Sequence, residues 1–218
     1  MTERYRLVVF DWDGTLADSA AIIAESIQEA CRDLGLEVPD ESSAKYVIGL
    51  GLADAVAHVA PGIAPAARRE LAERYRSHYL ARDPNIRLFA GVTELLDLLA
   101  ARGAWLAVAT GKSRVGLARA LEQSGLGGRF LATRCADEGL PKPHPDMLLH
   151  LIEHLGVAAA ETVMIGDTTH DVQMAHNAGV AGVAVSWGAH PVAALRELEP
   201  QACLHSVHEL RQWLEARL

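Results

Sequence analysis

Short apolar runs alternate along this chain with longer stretches of helical periodicity. The runs predict strands at Leu7–Phe10, Trp105–Thr110, Phe130–Thr133, Val163–Gly166 and Val180–Ser186. The stretches Val92–Arg102, Arg114–Gln123, Asp146–Leu155 and Asp171–Ala178 are amphipathic, and Gly103, Gly125, Gly156 and Gly179 follow them, where helices commonly end. This alternation predicts an α/β fold, a Rossmann-like parallel sheet with helices on both faces. In such sheets the chemistry gathers at the carboxyl ends of the strands.

One segment breaks the alternation. From about Asp18 to Asn85 the pattern predicts no strand. Ala20–Leu34 places Ile23, Ile27, Ala30 and Leu34 on one helical face, and Ala66–Ala81 reads as a second helix with many surface charges. The expected organisation is a core of residues 1–16 and 86–218, with a small all-helical cap domain, residues 17–85, inserted after the first strand. Its hinges are expected near Leu16–Asp18 and Asp83–Phe89.

Hydrophobic residues at 50% against 22% charged are enough for a sizeable core and argue against disorder. The formal net charge of -8 disfavours nucleic acid as a partner. No stretch reaches the roughly 18 apolar residues of a membrane span, and no early run resembles a signal peptide. A cytoplasmic protein with no membrane partner, monomeric or homodimeric, is the expectation. Cys31, Cys135 and Cys203 are widely spaced and odd in number, and are expected to be reduced thiols.

Four clusters fall at ends of predicted strands: Asp11 and Asp13 in "VVFDWDGTLADS", Thr110 and Gly111 closing "WLAVAT", Lys142 in "EGLPKPHPD", and Asp167 and Asp171 in "VMIGDTTHDV". Each alone has an ordinary structural reading, such as a helix cap or a solvated loop charge. Together they place four carboxylates, one lysine and one hydroxyl at one sheet edge. Such carboxylates repel each other unless cations compensate, and carboxylate oxygens suit Mg2+. A carboxylate can attack phosphorus as a nucleophile, and a second carboxyl can give and take the proton.

These residues carry a resemblance to the haloacid-dehalogenase superfamily of phosphohydrolases, in its helical-capped, phosphoglycolate-phosphatase-like branch. The matching pieces are "FDWDGTLADS", the run into Thr110-Gly111, Lys142-Pro143 with Pro145-Asp146, and "GDTTHD". The resemblance implies that Asp11 forms an aspartyl-phosphate and that Asp13 is the general acid/base. It implies that Thr110 and the Gly111 N–H bind phosphoryl oxygens, and that Lys142 bridges Asp11 and the phosphoryl group. Mg2+ would be held by Asp11, the Asp13 backbone carbonyl and Asp167, with Asp171 orienting that sphere.

Asp13 narrows the chemistry, because halide needs no proton to leave whereas an alkoxide does. That argues for phosphoester chemistry, and the resemblance implies a Mg2+-dependent phosphomonoesterase for a small phosphorylated metabolite, with 2-phosphoglycolate the single substrate it favours. A phosphosugar mutase would keep the same acid pair, but mutases of this type carry an arginine in the cap loop that faces the core. The corresponding stretch Ile48–Val56 holds no cation. A phospho-accepting signalling domain would need neither the cap nor Asp13. "TGKS" at Thr110–Ser113 lacks the first glycine of a phosphate-binding loop, and "GLGLAD" at Gly49–Asp54 lacks the third glycine of a dinucleotide fingerprint. His144 and His170 lie near the chemistry without an assigned role, and Trp12 is expected to pack into the core.

Overall fold

The run Leu7–Phe10 becomes β1, and all of it is buried. A strand apolar on both faces belongs in the middle of a parallel sheet with helices on each side. The computed structural model, which describes residues 4–218, places it there. The other strands are β2 (Trp105–Thr110), β3 (Ala132–Cys135), β4 (Thr162–Gly166), β5 (Ala181–Val185) and β6 (Ala202–Leu204). They pair in the order β3-β2-β1-β4-β5-β6, all parallel. The order reverses at β1, so the ends of β1, β2 and β4 flank the crevice where such sheets bind ligands. Phe10 is in register with Val108 and Ile165, so the residues just beyond those three strands lie side by side.

Alternate residues of the sheet feed two apolar layers. Val8, Phe10, Val108 and Ile165 pack with Leu95, Leu96 and Leu99 of α5 (Val92–Ala101), Leu117 of α6 (Arg114–Ser124) and Leu210 and Leu214 of α10 (Val207–Glu215). Leu7, Val9, Ala107 and Met164 face the other way, onto α7 (Asp146–Leu155) and α8 (Thr169–Asn177). Trp12 is buried in the first layer, edge-on to Phe130.

Between β1 and α5 the chain forms α1 (Ala20–Asp33), α2 (Glu41–Tyr46), α3 (Leu52–Val59) and α4 (Pro65–Arg82). These helices bury Ile23, Ile27, Val47, Ile48 and Tyr79 in one cluster, and Cys31, Val56 and Leu71 in another. The segments entering and leaving them pair: Asp18 N–H donates to the Arg87 carbonyl at 2.8 Å, and Phe89 N–H donates to the Leu16 carbonyl at 3.0 Å. No described helix is long and apolar enough to cross a membrane.

The structure corrects several sequence boundaries. The third strand lies two residues later than expected, because Ala132 to Cys135 take the register beside Ala107 to Thr110. Phe130 instead packs against the core from the preceding turn. The helix expected from Asp171 begins at Thr169, because the Thr168 hydroxyl caps it by accepting from the Asp171 N–H. β6, α2, α3, the short α9 (Val192–Glu197) and α10 were not anticipated.

Candidate active site

Asp11 follows β1 directly and is fully buried. Lys142 approaches from the loop before α7, with its Nζ 2.9 Å from Asp11 Oδ1 and 2.6 Å from Asp171 Oδ1. The contact with Asp171 is a hydrogen bond and that with Asp11 an ion pair; among the described residues neither Asp11 oxygen has a hydrogen-bond partner. Asp167, just past β4, accepts from the Thr15 hydroxyl at 2.6 Å and the Ala189 N–H at 2.7 Å. Asp171 turns its second oxygen to the Thr168 N–H and hydroxyl, at 3.0 and 2.7 Å. Oxygens of Asp11, Asp167 and Asp171 all lie within 4.8 Å of one another. Gly14, at φ +81°, lets the loop after β1 lie directly against Asp167, since a Cβ there would collide with that carboxylate.

Burial drives the electrostatics. It pushes the Asp11 carboxyl up to about 7, with Asp171 and Asp13 adding to the rise and Lys142 opposing it. Burial raises Asp167 well above the usual carboxylate range, reinforced by Asp11 and Asp171. Lys142 would lose its proton more easily for being buried, but Asp11 and Asp171 outweigh that and raise it. Three buried carboxylates thus share one fixed ammonium. This crowding of carboxylates, whose ionised forms the lone ammonium does not balance, and the open oxygens of Asp11 suit a hard divalent cation.

Asp13 stands apart from this group. Its Oδ1 accepts from the Ser19 hydroxyl at 2.7 Å, and Lys112 Nζ lies 2.9 and 3.0 Å from its two oxygens. Lys112 also donates to the Tyr79 hydroxyl of α4 at 2.8 Å, linking the sheet edge to the helical insertion. Thr110 is buried at the end of β2. Its hydroxyl oxygen accepts from Lys112 N–H at 3.3 Å, which leaves its own proton free to donate. A Cβ on Gly111 would strike the Gly49 and Leu50 carbonyls, so the insertion's loop rests directly on this turn.

Asp11, Asp13, Thr110, Gly111, Lys142, Asp167 and Asp171 all stand at this crevice. Reading by motif nevertheless missed Lys112, Thr15, Ser19, Thr168, Tyr79 and His190. Thr15 and Ser19 lay inside the quoted first motif, and Lys112 inside the discounted "TGKS". His170 and His190 both lie against the Tyr46 carbonyl, with Nε2 at 2.8 and 3.0 Å. His190 Nδ1 accepts from Thr169 N–H at 3.0 Å, so its proton sits on Nε2 and points at Tyr46. His144 is exposed and only accepts from the Asp146 N–H at 3.2 Å. The two false motifs do other work: Ser113 caps α6 and Gly51 caps α3.

Residues 8–185 match the haloacid dehalogenase-like hydrolase family. The chain belongs to that family. The probable phosphatase IndB of Dickeya dadantii is 39% identical, over 94% of this chain and 91% of that protein. A phosphoglycolate phosphatase of Agrobacterium fabrum is 32% identical, over 91% and 87%. The crystal structure of a predicted phosphatase from Clostridium acetobutylicum superposes with a TM-score of 0.86 at 26% identity, over 98% of this chain and 99% of that one.

Proposed function

We propose that this haloacid dehalogenase-like hydrolase is a Mg2+-dependent phosphomonoesterase that works through an aspartyl-phosphate on Asp11. The observation that carries the reading is the Asp11 carboxylate: buried at the end of the central strand, beside a fixed ammonium, with neither oxygen hydrogen-bonded. The names of the Dickeya and Agrobacterium relatives agree with phosphatase chemistry.

An Asp11 oxygen attacks phosphorus as the bond from phosphorus to the ester oxygen breaks. Asp13 gives that oxygen its proton, so the leaving group departs as a neutral alcohol. Water then attacks the phosphorus of the aspartyl-phosphate, Asp13 takes its proton, and the electrons of the breaking bond return to Asp11 as phosphate leaves. The Thr110 hydroxyl and the Gly111 N–H donate to the phosphoryl oxygens. Lys142, steered by Asp171, favours the ionised form of Asp11 and meets phosphoryl charge. Asp11, Asp167 and the Asp13 backbone carbonyl, backed by Asp171, would hold Mg2+, which supplies charge neutralisation at the phosphoryl oxygens when bound. Residues 17–85 act as the cap that shuts out water and bulky macromolecular substrates, leaving a small phosphorylated metabolite.

A mutase would share Asp11 and Asp13, but the loop resting on Gly111 offers no lysine or arginine for a second phosphate. The test is phosphate release from p-nitrophenyl phosphate by the folded protein, with Mg2+ and with chelator. Release that requires Mg2+ is expected. No release under either condition, or release indifferent to the metal, refutes the reading.

A further inference from the structure

The space above Asp11 is larger and more apolar than phosphoryl transfer alone requires. The cavity holds about 720 Å³, inside the roughly 300–1,000 Å³ that suits a drug-sized ligand. It starts at Asp11, Asp13, Thr110 and Gly111 and runs up between α1, α3 and α4. Ile27, Val47, Leu52, Val56, Leu71 and Tyr75 contribute to its wall.

The charged groups on that wall are mostly committed. Lys112 is paired with Asp13, and Arg119 with Asp83 at 2.5 Å. Asp54 and Asp137 also line the cavity and repel anions. Among the described residues, Arg76 is the one cation on this wall without an ion-pair partner, and it is exposed. A carboxylate or second phosphate carried into the apolar part would be desolvated with no unpaired buried cation among the described residues to meet it, which is costly. An apolar ring placed there would leave water without losing a hydrogen bond.

Building on the phosphatase reading above, we infer that the preferred substrate is a phosphomonoester of a neutral alcohol bearing an apolar ring, seated between α1, α3 and α4. The phosphoryl group lies at Asp11 and the ring displaces water from the wall formed by Ile27, Leu52, Val56 and Tyr75. This departs from the short, acid-bearing ester expected from the sequence. During hydrolysis the ring leaves with the alcohol that Asp13 has protonated.

The experiment compares benzyl phosphate, ethyl phosphate and 2-phosphoglycolate by kcat/KM with Mg2+, and benzylphosphonate against methylphosphonate by calorimetry. Benzyl and ethyl alkoxides are similarly basic, so a preference reports the pocket and not the leaving group. Benzyl phosphate is expected to win by at least tenfold, about 1.4 kcal/mol, and benzylphosphonate to bind tighter by a similar factor. Leu52→Trp, which fills the wall, and Leu52→Asp, which charges it, should each pull the benzyl-to-ethyl ratio toward one. Parity of ethyl phosphate or 2-phosphoglycolate with benzyl phosphate overturns the inference, as does equal phosphonate binding or a ratio unchanged in a folded Leu52 variant. If no ester is hydrolysed while the phosphonates still discriminate, the phosphatase reading falls and the pocket assignment stands.

Discussion

His190 makes the stability of this protein depend on pH in a direction that can be calculated. Its ring is buried, Nδ1 accepts the Thr169 N–H, and Nε2 donates to the Tyr46 carbonyl. Protonating Nδ1 would set a donor against a donor. Burial, helped by the nearby His170, holds the ring down to about 4, against the opposing pull of the Tyr46 and Lys45 carbonyls and of Asp171. In the unfolded chain the same ring titrates near 6.5. Between those values the unfolded state binds the extra proton, so stability is intact above about pH 6.5 and drains away as pH falls toward 4. At about 1.4 kcal/mol per unit, acidification from pH 7.5 to 4.5 should cost roughly 2–3 kcal/mol from this one side chain. Asp11 and Asp167 act oppositely in metal-free protein: their raised native values mean that the folded state takes up protons first. The assay must therefore be differential. Urea unfolding of wild type and His190→Gln should be followed from pH 7.5 to 4.5 in the absence of metal. The variant starts less stable, and the gap should close by roughly 2–3 kcal/mol across the range. A gap that stays constant would refute the reasoning.

The remaining predictions concern catalysis. Asp11→Asn should abolish turnover while the fold persists, and wild-type crystals with fluoroberyllate and Mg2+ should show density on Asp11; appreciable activity in the variant removes the nucleophile assignment. Asp13→Asn should slow esters with poor alkoxide leaving groups by about 10²–10⁴-fold and aryl esters less; equal losses would make Asp13 structural. Asp167→Ala should weaken activation by Mg2+ and recover partly at high metal, whereas Lys142→Ala should not recover. Wild-type metal dependence in both would sink the charge scheme.

How much of this was visible in the sequence follows from how each element is stabilised. β1, β2, β4 and β5 are buried apolar runs, and burial dictates their composition, so the pattern located them. β6 has three residues, all only half-buried, and it lies on the sheet edge, where periodicity has little to act on. α2 is similarly short and buries only Ala44. In the site, Asp11, Asp13, Lys142, Asp167 and Asp171 announced themselves by acidic or basic chemistry at strand ends. Lys112 did not, because its meaning depends on reaching Asp13 from a different strand. His190 did not either, because its partner is the backbone carbonyl of Tyr46, and a carbonyl leaves no mark on sequence.

The paired segments at Leu16–Asp18 and Arg87–Phe89 have a consequence for how this molecule can change. The chain departs from the sheet and returns to it at neighbouring points, joined by the two backbone hydrogen bonds of an antiparallel bridge between Ala17 and Leu88. To the sheet, everything between is a single surface loop with its ends already fastened. The entropy of closing such a loop rises only slowly with its length, by about 0.6 kcal/mol per doubling. Lengthening, shortening or exchanging the four intervening helices therefore burdens the sheet little, provided that the two ends still meet at strand spacing. The acids on the sheet and the cavity wall in the helices are, in this arrangement, separately replaceable parts.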